Sequence, residues 1–544
     1  AAGRLAPSAL LAVHRLPPGM HVAGSVAGPC SLAGARAEGK AAGREAAAGE
    51  TATVPDPARR DGPPNDPWPV FKHPKGKEFV DLDEDLTIAD LRNAVREGFD
   101  SIELVKRFST VGMGPSQGRT AAVNAVRITA DELGRPVEGA RASTNRPPAT
   151  PERFGHLAGR GFDPVRYTPM HRRHVDAGAH MMVAGAWMRP AYYGRDAASA
   201  IAEEVRAVRD NVGLIDVTTL GGLEVRGPDA AEFMNRMYTF AYRKQPTDRT
   251  RYLLMTDDTG SIVDDGVAAR WAEDHFYVTA TTGGVDSVYR RMLWWNAQWR
   301  LDVDIANVTA AWAGINLAGP NARKVVEQLD TDIDFSAEAF PYLEARSGHV
   351  GGIPVRALRV GFVGELGYEL HCPAGCAEAL WDRLVEAGGA WGIRPFGVEA
   401  QRVLRLEKGH LIVGQDTDNL THPEEATMGW AVQRRKPFFV GAPALQEREA
   451  HALTRRLVGF RLPADADPLP EECHLVIDGE RIAGRVTSIA RSPTLGYPIG
   501  LAFVDPDRTE PGTPFTIKGG GGAPIEAEVC KTPFYDPDNE RQQL

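Results

Sequence analysis

Two adjacent carboxylates are the first residues of this sequence whose types and spacing suit chemistry. Asp264 and Asp265 follow a short apolar run and lie between Gly260 and Gly266. Neighbouring side chains on a β-strand point to opposite faces, so only one of the two acids can face a ligand. The other is expected to cap or hydrogen-bond the backbone. The functional interpretation is a carboxylate beside a basic nitrogen of a ligand; the alternative, which the spacing alone favours, is an ordinary Asp-Asp-Gly turn.

A glycine-rich segment, Gly361–Glu369, carries two further acids. Glu365 and Glu369 lie on either side of Tyr368, and the glycines of the segment indicate a turn. A carboxylate accepts two parallel hydrogen bonds, which suits the aminopyrimidinone edge of a ligand or a guanidinium group. For this segment taken alone, a glycine-rich hairpin is the simpler interpretation.

A charged helix is predicted over Phe396–Glu407. Arg402 and Arg405 lie among acids of the same segment, so each can pair with an acid one turn away. The alternative is a helix with a charged surface that packs on the core and takes no part in binding.

The elements that must position these acids alternate between short strands and amphipathic helices from about residue 179 to the C-terminus. Strands are predicted over Val267–Trp271 and Phe276–Thr281, and helices over Ala198–Asn211 and Val285–Asn296. Roughly the last 90 residues contain short strands and turns without a strong helix, as in a small β-barrel. The fold class predicted from these patterns is α+β, with several domains.

Composition excludes several functional classes. The chain has 544 residues and a net charge of −10, which argues against nonspecific nucleic-acid binding because that depends on Lys and Arg. Apolar runs of about 18 residues are absent from the sequence, so no membrane span is expected. Five cysteines form a sparse, odd set, which indicates a reducing compartment such as the cytoplasm. Cys372 and Cys376 have a spacing that zinc tolerates, but no second ligand pair lies nearby, so no metal site is predicted.

The first 50 residues predict a strand at Met20–Ala23, a glycine-rich turn and a helix over Leu32–Ala48. Gly24 and Gly28 in the turn would let the backbone approach a cofactor, and the helix N-terminus would favour an anion. A plain strand-to-helix turn fits equally well. The sequence opens as if in the middle of a domain, so we expect a fragment of a longer protein, and the proline-rich residues 51–70 predict a linker.

Six motifs occur in the order found in aminomethyltransferases of the glycine-cleavage T-protein type, and the resemblance covers about residues 180–541. Such an ordered set is far more specific than any one motif. The motifs are Ala186–Tyr193, Val212–Val217, Gly260–Gly266, Gly361–Glu369, Leu404–Gly409 and Ser492–Gly496.

Further segments resemble the α subunits of heterotetrameric sarcosine oxidases, and with them the resemblance covers nearly the whole chain. They are Leu16–Gly24, Ala94–Phe99, Val105–Phe108, Val403–Asp418 and Gly429–Val432. The resemblance implies the C-terminal remnant of a dinucleotide-binding α/β domain at 1–50 and the linker at 51–70. It further implies a small, mostly helical domain at 71–140, a T-protein-like folate-binding domain at 165–445 and a C-terminal β-barrel at 455–541.

The resemblance implies a complex that oxidises sarcosine at a flavin, FMN or FAD, in the β subunit or at the interface with it. The methylene of the oxidised amine would pass to tetrahydrofolate, giving glycine and 5,10-methylenetetrahydrofolate, and oxygen would reoxidise the flavin to give hydrogen peroxide. The implied partners are β, γ and δ subunits, and NAD would bind the dinucleotide domain through Gly24 and Gly28. Two alternatives stay open: a stand-alone aminomethyltransferase or demethylase, and a non-catalytic folate-binding protein.

Three residues match the folate site of the family. Asp265 matches the carboxylate beside the reactive nitrogens of folate, where its charge would stabilise a cationic iminium group and accept a proton. Glu369 matches the residue that binds the pterin amino edge, and Tyr252 matches a tyrosine that lines the site.

Three expected folate-binding positions depart from the T-protein pattern. Thr281 stands where T-proteins have asparagine, and Phe362 stands where they have tyrosine. Gln401 stands where they have arginine, which puts a contact to the folate carboxylate in doubt. These changes resemble the oxidase branch more than the glycine-cleavage branch.

Overall fold

The computed structural model describes residues 19–24, 31–50, 74–137, 141–143, 152–159 and 164–544. The chain divides into two compact units, Ala1–Phe162 and Asp163–Leu544. Among the helices of these described ranges, none has the length and apolar character needed to cross a bilayer.

The first unit begins with the helix predicted from the sequence, whereas the preceding residues at Met20–Ala23 form no strand. Ser31 caps the first turn of that helix through Gly34 N, and Gly49 ends it in the left-handed conformation. The helices between residues 88 and 132 share a small core that includes Leu91. The elements of this unit are α1 (Leu32–Ala48), β1 (Phe79–Asp81), β2 (Leu86–Thr87), α2 (Ile88–Arg96), α3 (Ile102–Ser109), α4 (Ala122–Glu132) and α5 (Phe154–Leu157).

The second unit is a mixture of helices and mostly antiparallel sheets, which confirms the predicted α+β class. Its helices are α6 (His171–Asp176), α7 (Ala197–Asp210), α8 (Ala230–Met237), α9 (Val285–Trp299), α10 (Ala322–Glu327), α11 (Ala377–Gly388), α12 (Val398–Glu407), α13 (Ala442–Arg448) and α14 (Glu540–Gln543).

Strands of the second unit form a hairpin, two larger sheets and a barrel. The hairpin and the sheets contain β3 (Ala179–Ala184), β4 (Trp187–Tyr193), β5 (Gly213–Asp216), β6 (Gly221–Arg226), β7 (Arg249–Thr256), β8 (Ile262–Ala272), β9 (His275–Ala280), β10 (Asp304–Asn307), β11 (Trp312–Ala318), β12 (Ala345–Val350), β13 (Ile353–Leu358), β14 (Gly367–Pro373) and β15 (Arg394–Pro395). The barrel contains β16 (Arg456–Arg461), β17 (Leu475–Asp478), β18 (Arg481–Arg491), β19 (Pro498–Val504), β20 (Pro514–Lys518) and β21 (Pro524–Cys530).

Strand order explains which residues can meet. One sheet has the order β10-β6-β9-β8-β7, and a second has the order β12-β13-β14-β11-β5-β15. The two sheets contact each other through a cluster in which Ala269 of β8 packs with Leu358 of β13. The third assembly is a closed barrel, β16-β19-β18-β17-β20-β21, as predicted for the C-terminal region.

The aspartate pair lies inside β8, which begins earlier than the strand predicted at Val267–Trp271. In the antiparallel ladder with β7, Leu254 faces Asp265 and Tyr252 faces Val267. Tyr252 and Asp265 are therefore diagonal neighbours on one face of the sheet, a separation that a tyrosine side chain can bridge.

Candidate functional site: a carboxylate pair on the central sheet

Asp265 is held by the hydroxyl of Tyr252. The Tyr252 hydroxyl donates to Asp265 Oδ2 at 2.8 Å, and both side chains are partly buried. The diagonal position of the two residues on neighbouring strands produces this contact. It confirms that one acid of the pair faces the same side of the sheet as Tyr252, whereas its function remains a prediction.

Asp264 points to the other face and satisfies backbone donors there. Its Oδ1 accepts from Asp265 N at 2.9 Å and from Thr281 N at 3.3 Å. Its Oδ2 is buried and has no hydrogen-bond partner among the described residues. Gly284, the residue before α9, lies so close that a Cβ there would be 2.4 Å from Asp264 Oδ2. The prediction that one acid of the pair binds backbone is confirmed, whereas the ligand-facing role of the other stays a prediction.

Burial makes both aspartates weaker acids than usual. Burial raises the pKa of Asp264 to about 6, although the hydrogen bonds from Thr281 and Asp265 oppose this effect. Burial, together with the nearby charge of Asp264, raises the pKa of Asp265 to about 7. Such a carboxyl group exchanges its proton near neutral pH, which is the property required of a general acid or base.

Aromatic side chains cover the Tyr252 side of the pair. The Tyr252 ring lies 5.2 Å from the ring of Trp430, and Phe240 lies 6.1 Å from the same indole. Trp430 is 63% exposed, which is unusual for a tryptophan. An exposed indole beside a partly buried acid offers a planar apolar surface to a ring-shaped ligand.

Glu369 lies on β14 of the neighbouring sheet and is joined to the central sheet through two side chains. His371 Nε2 is 3.4 Å from Glu369 Oε2, and its Nδ1 is 3.4 Å from the hydroxyl of Tyr277 on β9. In the tautomer with its proton on Nε2, His371 donates to Glu369 and accepts from the Tyr277 hydroxyl at Nδ1. Burial raises the pKa of Tyr277, so this phenol keeps its proton.

The remaining predicted residues are placed less directly. Thr281 contacts Asp264 through its backbone N–H. Phe362 stacks on His410 at 5.7 Å and accepts from its ring through the backbone carbonyl. Gln401 is partly buried on α12, and no hydrogen bond among the described residues joins it or Phe362 to the aspartate pair.

The predicted nucleotide glycines lie in the first unit. Gly24 has a φ of +70° and its N–H donates to Glu38 Oε2 at 2.8 Å. A carboxylate therefore occupies the donor that a phosphate would need, so the described residues do not fit NAD at this position. Gly28 lies outside the described residues. No group of three His, Cys, Asp or Glu side chains in the described ranges is placed to hold a metal ion.

Glu365, the other acid of the glycine-rich segment, has a structural partner. Arg209 on α7 donates to Glu365 Oε1 at 3.0 Å and to Glu407 Oε2 at 2.8 Å, all three side chains being buried. The sequence left two partners open for the acids of this segment, the aminopyrimidinone edge of a ligand and a guanidinium group. Glu365 binds a guanidinium group. Arg402 pairs with Glu399, an acid one turn away, as predicted, whereas Arg405 pairs with Asp416, eleven positions further along the chain.

Family models match three parts of the chain. Residues 170–436 match the GCVT N-terminal domain, 75–160 the sarcosine oxidase A3 domain, and 455–536 the glycine cleavage T-protein C-terminal barrel domain. An aminomethyltransferase from Halothermothrix orenii is 32% identical over 68% of this chain and 100% of its own length. The chain belongs to the aminomethyltransferase family. The glycine cleavage system aminomethyltransferase T from Bartonella henselae has the same fold, with a TM-score of 0.62 at 25% identity over 69% of this chain and 99% of that one.

Similarity beyond the aminomethyltransferase module extends to longer proteins. The sarcosine oxidase subunit alpha of Corynebacterium sp. strain P-1 is 36% identical over 96% of this chain and 57% of its own length. That of Rhizobium meliloti is 37% identical over 87% of this chain and 50% of its own length. The chain thus spans about half the length of these curated relatives, and the resemblance seen in the motifs is confirmed. A folate-binding T-protein-like function follows from membership of the family.

Sequence reasoning missed several residues that surround the candidate site. His371 and Tyr277 join Glu369 to the central sheet, but neither belongs to a pattern that distinguishes it from other buried strand residues. Gly284 carried a signal, since it is adjacent to Gly283 at the start of a predicted helix. Trp430 lies in the quoted Gly429–Val432 motif, although its contact with Tyr252 depends on tertiary packing.

Proposed function

We propose that this chain is part of the α subunit of a flavin-dependent sarcosine oxidase and transfers the methylene of oxidised sarcosine to tetrahydrofolate. The products would be glycine and 5,10-methylenetetrahydrofolate, with hydrogen peroxide from reoxidation of the flavin. Similarity over 96% of the chain to a protein named sarcosine oxidase subunit alpha supports the amine substrate. Membership of the aminomethyltransferase family supports the folate acceptor.

One observation carries the proposal: the aspartate pair has no cationic partner. The hydrogen bonds of Asp264 and Asp265 come from a phenol and from backbone N–H groups, and no Lys or Arg among the described residues donates to either acid. A buried negative charge without a counter-ion is unfavourable, and a cationic ligand relieves it. The iminium group of an oxidised secondary amine is such a ligand, and its charge is greatest where the methylene is transferred.

In this reaction Asp265 holds the proton in transit. The two protons that leave the folate nitrogens end on the nitrogen of glycine, so a group is needed that accepts and returns a proton near neutral pH. Asp265, with a pKa raised to about 7 by burial and by Asp264, has that property. Tyr252 orients the carboxylate through its 2.8 Å hydrogen bond. Glu369 would accept the amino edge of the pterin with its free carboxylate lone pairs.

Partners and further cofactors rest on the resemblance to the longer relatives. A flavin in or beside a β subunit would supply the oxidation of sarcosine, and γ and δ subunits would complete the complex in the cytoplasm. Residues 1–50 would be the remnant of a dinucleotide-binding domain, 51–70 a linker, 71–140 a small helical domain, 165–445 the folate-binding domain and 455–541 the barrel domain. NAD takes no part in the proposed reaction, and the Gly24 N–H already binds Glu38.

The test is co-expression with a β subunit and measurement of peroxide and formaldehyde from sarcosine, with and without tetrahydrofolate. In Asp265→Asn, peroxide formation should be unchanged, whereas formaldehyde should be released even when tetrahydrofolate is present. Asp258→Asn, in the exposed turn of the same hairpin, is the matched control and should behave as wild type. Equal formaldehyde release from wild type and Asp265→Asn in the presence of folate would contradict the role of Asp265.

A second candidate is a stand-alone aminomethyltransferase, which the 100% coverage of the Halothermothrix orenii protein favours. It predicts methylene transfer by this chain without a partner subunit. A non-catalytic folate-binding protein predicts instead that Asp265→Asn leaves the product ratio unchanged. Both outcomes are visible in the same assay.

A further inference from the structure

Arg189 is a buried cation with almost no hydrogen-bond partners. It lies on β4 and is 8% exposed, and its Nη2 donates to the Asp216 carbonyl at 3.3 Å. Its Nε has no partner among the described residues. By contrast, the equally buried Arg209 donates to two carboxylates and two backbone carbonyls. Arg189 thus lacks the carboxylate partners that Arg209 has among the described residues.

Such an arrangement is costly unless a ligand completes it. A guanidinium group has five N–H donors and keeps its charge, so burial without partners costs several kcal/mol. Burial lowers the pKa of Arg189, and the charge of Asp216 only partly offsets that effect. The carboxylate of Asp216 is already hydrogen-bonded by His174 at 3.0 Å and by Thr218 N at 2.9 Å. It therefore attracts Arg189 from a distance but leaves its donors unfilled.

The position of Arg189 connects it to the aspartate site. It rests on the last residue of β5, and three residues later the hydroxyl of Thr219 lies 3.0 Å from that of Thr282. Thr282 follows Thr281, which binds Asp264. These contacts join β5, on which Arg189 rests, to the residues around the aspartate pair.

The arginines of the neighbouring helix α12 are already paired with acids. β4 packs against the start of α12, where a Cβ on Gly397 would lie 2.1 Å from the carbonyl oxygen of Ala191. Gln401, one turn into α12, is uncharged. The arginines further along the helix are neutralised, Arg402 by Glu472 and Arg405 by Asp416. Of the three arginines Arg189, Arg402 and Arg405, only Arg189 has no carboxylate bonded to it among the described residues.

We propose that Arg189 binds a carboxylate of the ligand whose reactive nitrogens lie at Asp265, and that this carboxylate belongs to the glutamate end of tetrahydrofolate. The inference rests on the proposed function. A guanidinium binds a carboxylate through two parallel hydrogen bonds, which would use the Nε that has no partner. T-proteins have an arginine on α12 at the position of Gln401. In this chain Arg189 on β4 supplies that positive charge instead.

Binding by the full chain should be measured for tetrahydrofolate and for 6-methyltetrahydropterin, which has the pterin ring but no carboxylate. Arg189→Met should weaken tetrahydrofolate binding at least 10-fold and leave 6-methyltetrahydropterin binding unchanged. Arg189→Lys, which keeps the charge but loses the fork, should show an intermediate loss with tetrahydrofolate only. Arg402→Met removes a partnered arginine and should leave both affinities as in wild type.

Each other outcome overturns a defined statement. If wild type binds neither compound, the proposed function fails. If wild type binds both and the two Arg189 variants lose both affinities equally, or lose neither, Arg189 has a structural role and the inference fails. A competition experiment with glycine tests the source of the carboxylate. If glycine competes with tetrahydrofolate in wild type but not in Arg189→Met, the carboxylate that Arg189 binds belongs to the amino acid. The assignment to folate is then wrong.

Discussion

At the scale of single residues, the acid–base properties of Asp265 depend on one hydroxyl. The hydrogen bond from Tyr252 favours the ionised form, whereas burial and the charge of Asp264 favour the protonated form. The balance places the pKa at about 7, so the carboxylate is partly ionised at neutral pH. Small changes around it should therefore change the rate near neutrality.

Tyr252→Phe should shift the pH dependence of methylene transfer to higher pH. Loss of a hydrogen bond worth roughly 1 kcal/mol raises the pKa of Asp265 further, and the acidic limb should move up by about half to one pH unit. Product ratios measured between about pH 5.5 and 9 test this. Tyr289→Phe is the control, because this hydroxyl donates to the Ile305 carbonyl at 3.5 Å and not to either aspartate. An unmoved acidic limb in Tyr252→Phe would show that the phenol does not set this pKa.

At the scale of elements, the junction of β9 and α9 fixes Asp264. The chain turns at Gly283 and Gly284, and the backbone of Gly284 presses against Asp264 Oδ2 and Thr281 Oγ1. A side chain at this position would occupy the space of both groups. The turn at Gly283 and Gly284 therefore fixes the position of Asp264, whose charge raises the pKa of Asp265.

Gly284→Ala should disturb the site, whereas Gly283→Ala should not. The added Cβ would lie 2.4 Å from Asp264 Oδ2 and 2.5 Å from Thr281 Oγ1, so both must move. We expect a loss of about 1–3 kcal/mol in the free energy of unfolding and weaker folate binding. A Cβ on Gly283 meets nothing within 4 Å, which makes it a matched control. Chemical denaturation and ligand titration of both variants give the answer; equal behaviour would rule out the proposed contact.

At the scale of the whole folate-binding unit, a buried ion network joins the sheets to the barrel. Arg209 on α7 binds Glu365 and Glu407, and Glu407 also accepts from Ser492 of the barrel region at 2.6 Å. Breaking a buried pair by removing one partner leaves an uncompensated charge. The network should thus contribute to the cooperativity between the barrel and the rest of the unit.

Arg209→Met should lower the free energy of unfolding by about 3–5 kcal/mol at neutral pH. Burial raises the pKa of Glu365 and Arg209 lowers it, so removal of Arg209 raises this pKa further. An acid whose folded pKa is raised above its unfolded value destabilises the fold as pH rises between the two values. The deficit of the variant should therefore shrink in acid, as urea unfolding at pH 5 and 8 can measure. Arg394→Met, in an exposed pair with Glu203, should cost less than about 1 kcal/mol. A deficit independent of pH would contradict this account.

The sequence by itself determined the fold class, the barrel and the family. Strand and helix periodicity, together with six ordered motifs, was sufficient because these features are local or follow chain order. It also determined that only one of two adjacent acids can face a ligand, since side chains alternate along any strand. The start of β8 was placed too late because Asp-Asp-Gly resembles a turn until β7 pairs with it.

Only the tertiary structure decided which partners the charged residues have. Tyr252 meets Asp265 because of the register between β7 and β8, and Glu365 meets Arg209, 156 positions away, through packing of α7. The unpaired donors of Arg189 are equally invisible in the sequence, because an arginine on a strand looks the same whether or not it has a carboxylate beside it. Electrostatic environment depends on distances across the chain, and these are set by packing and not by local sequence.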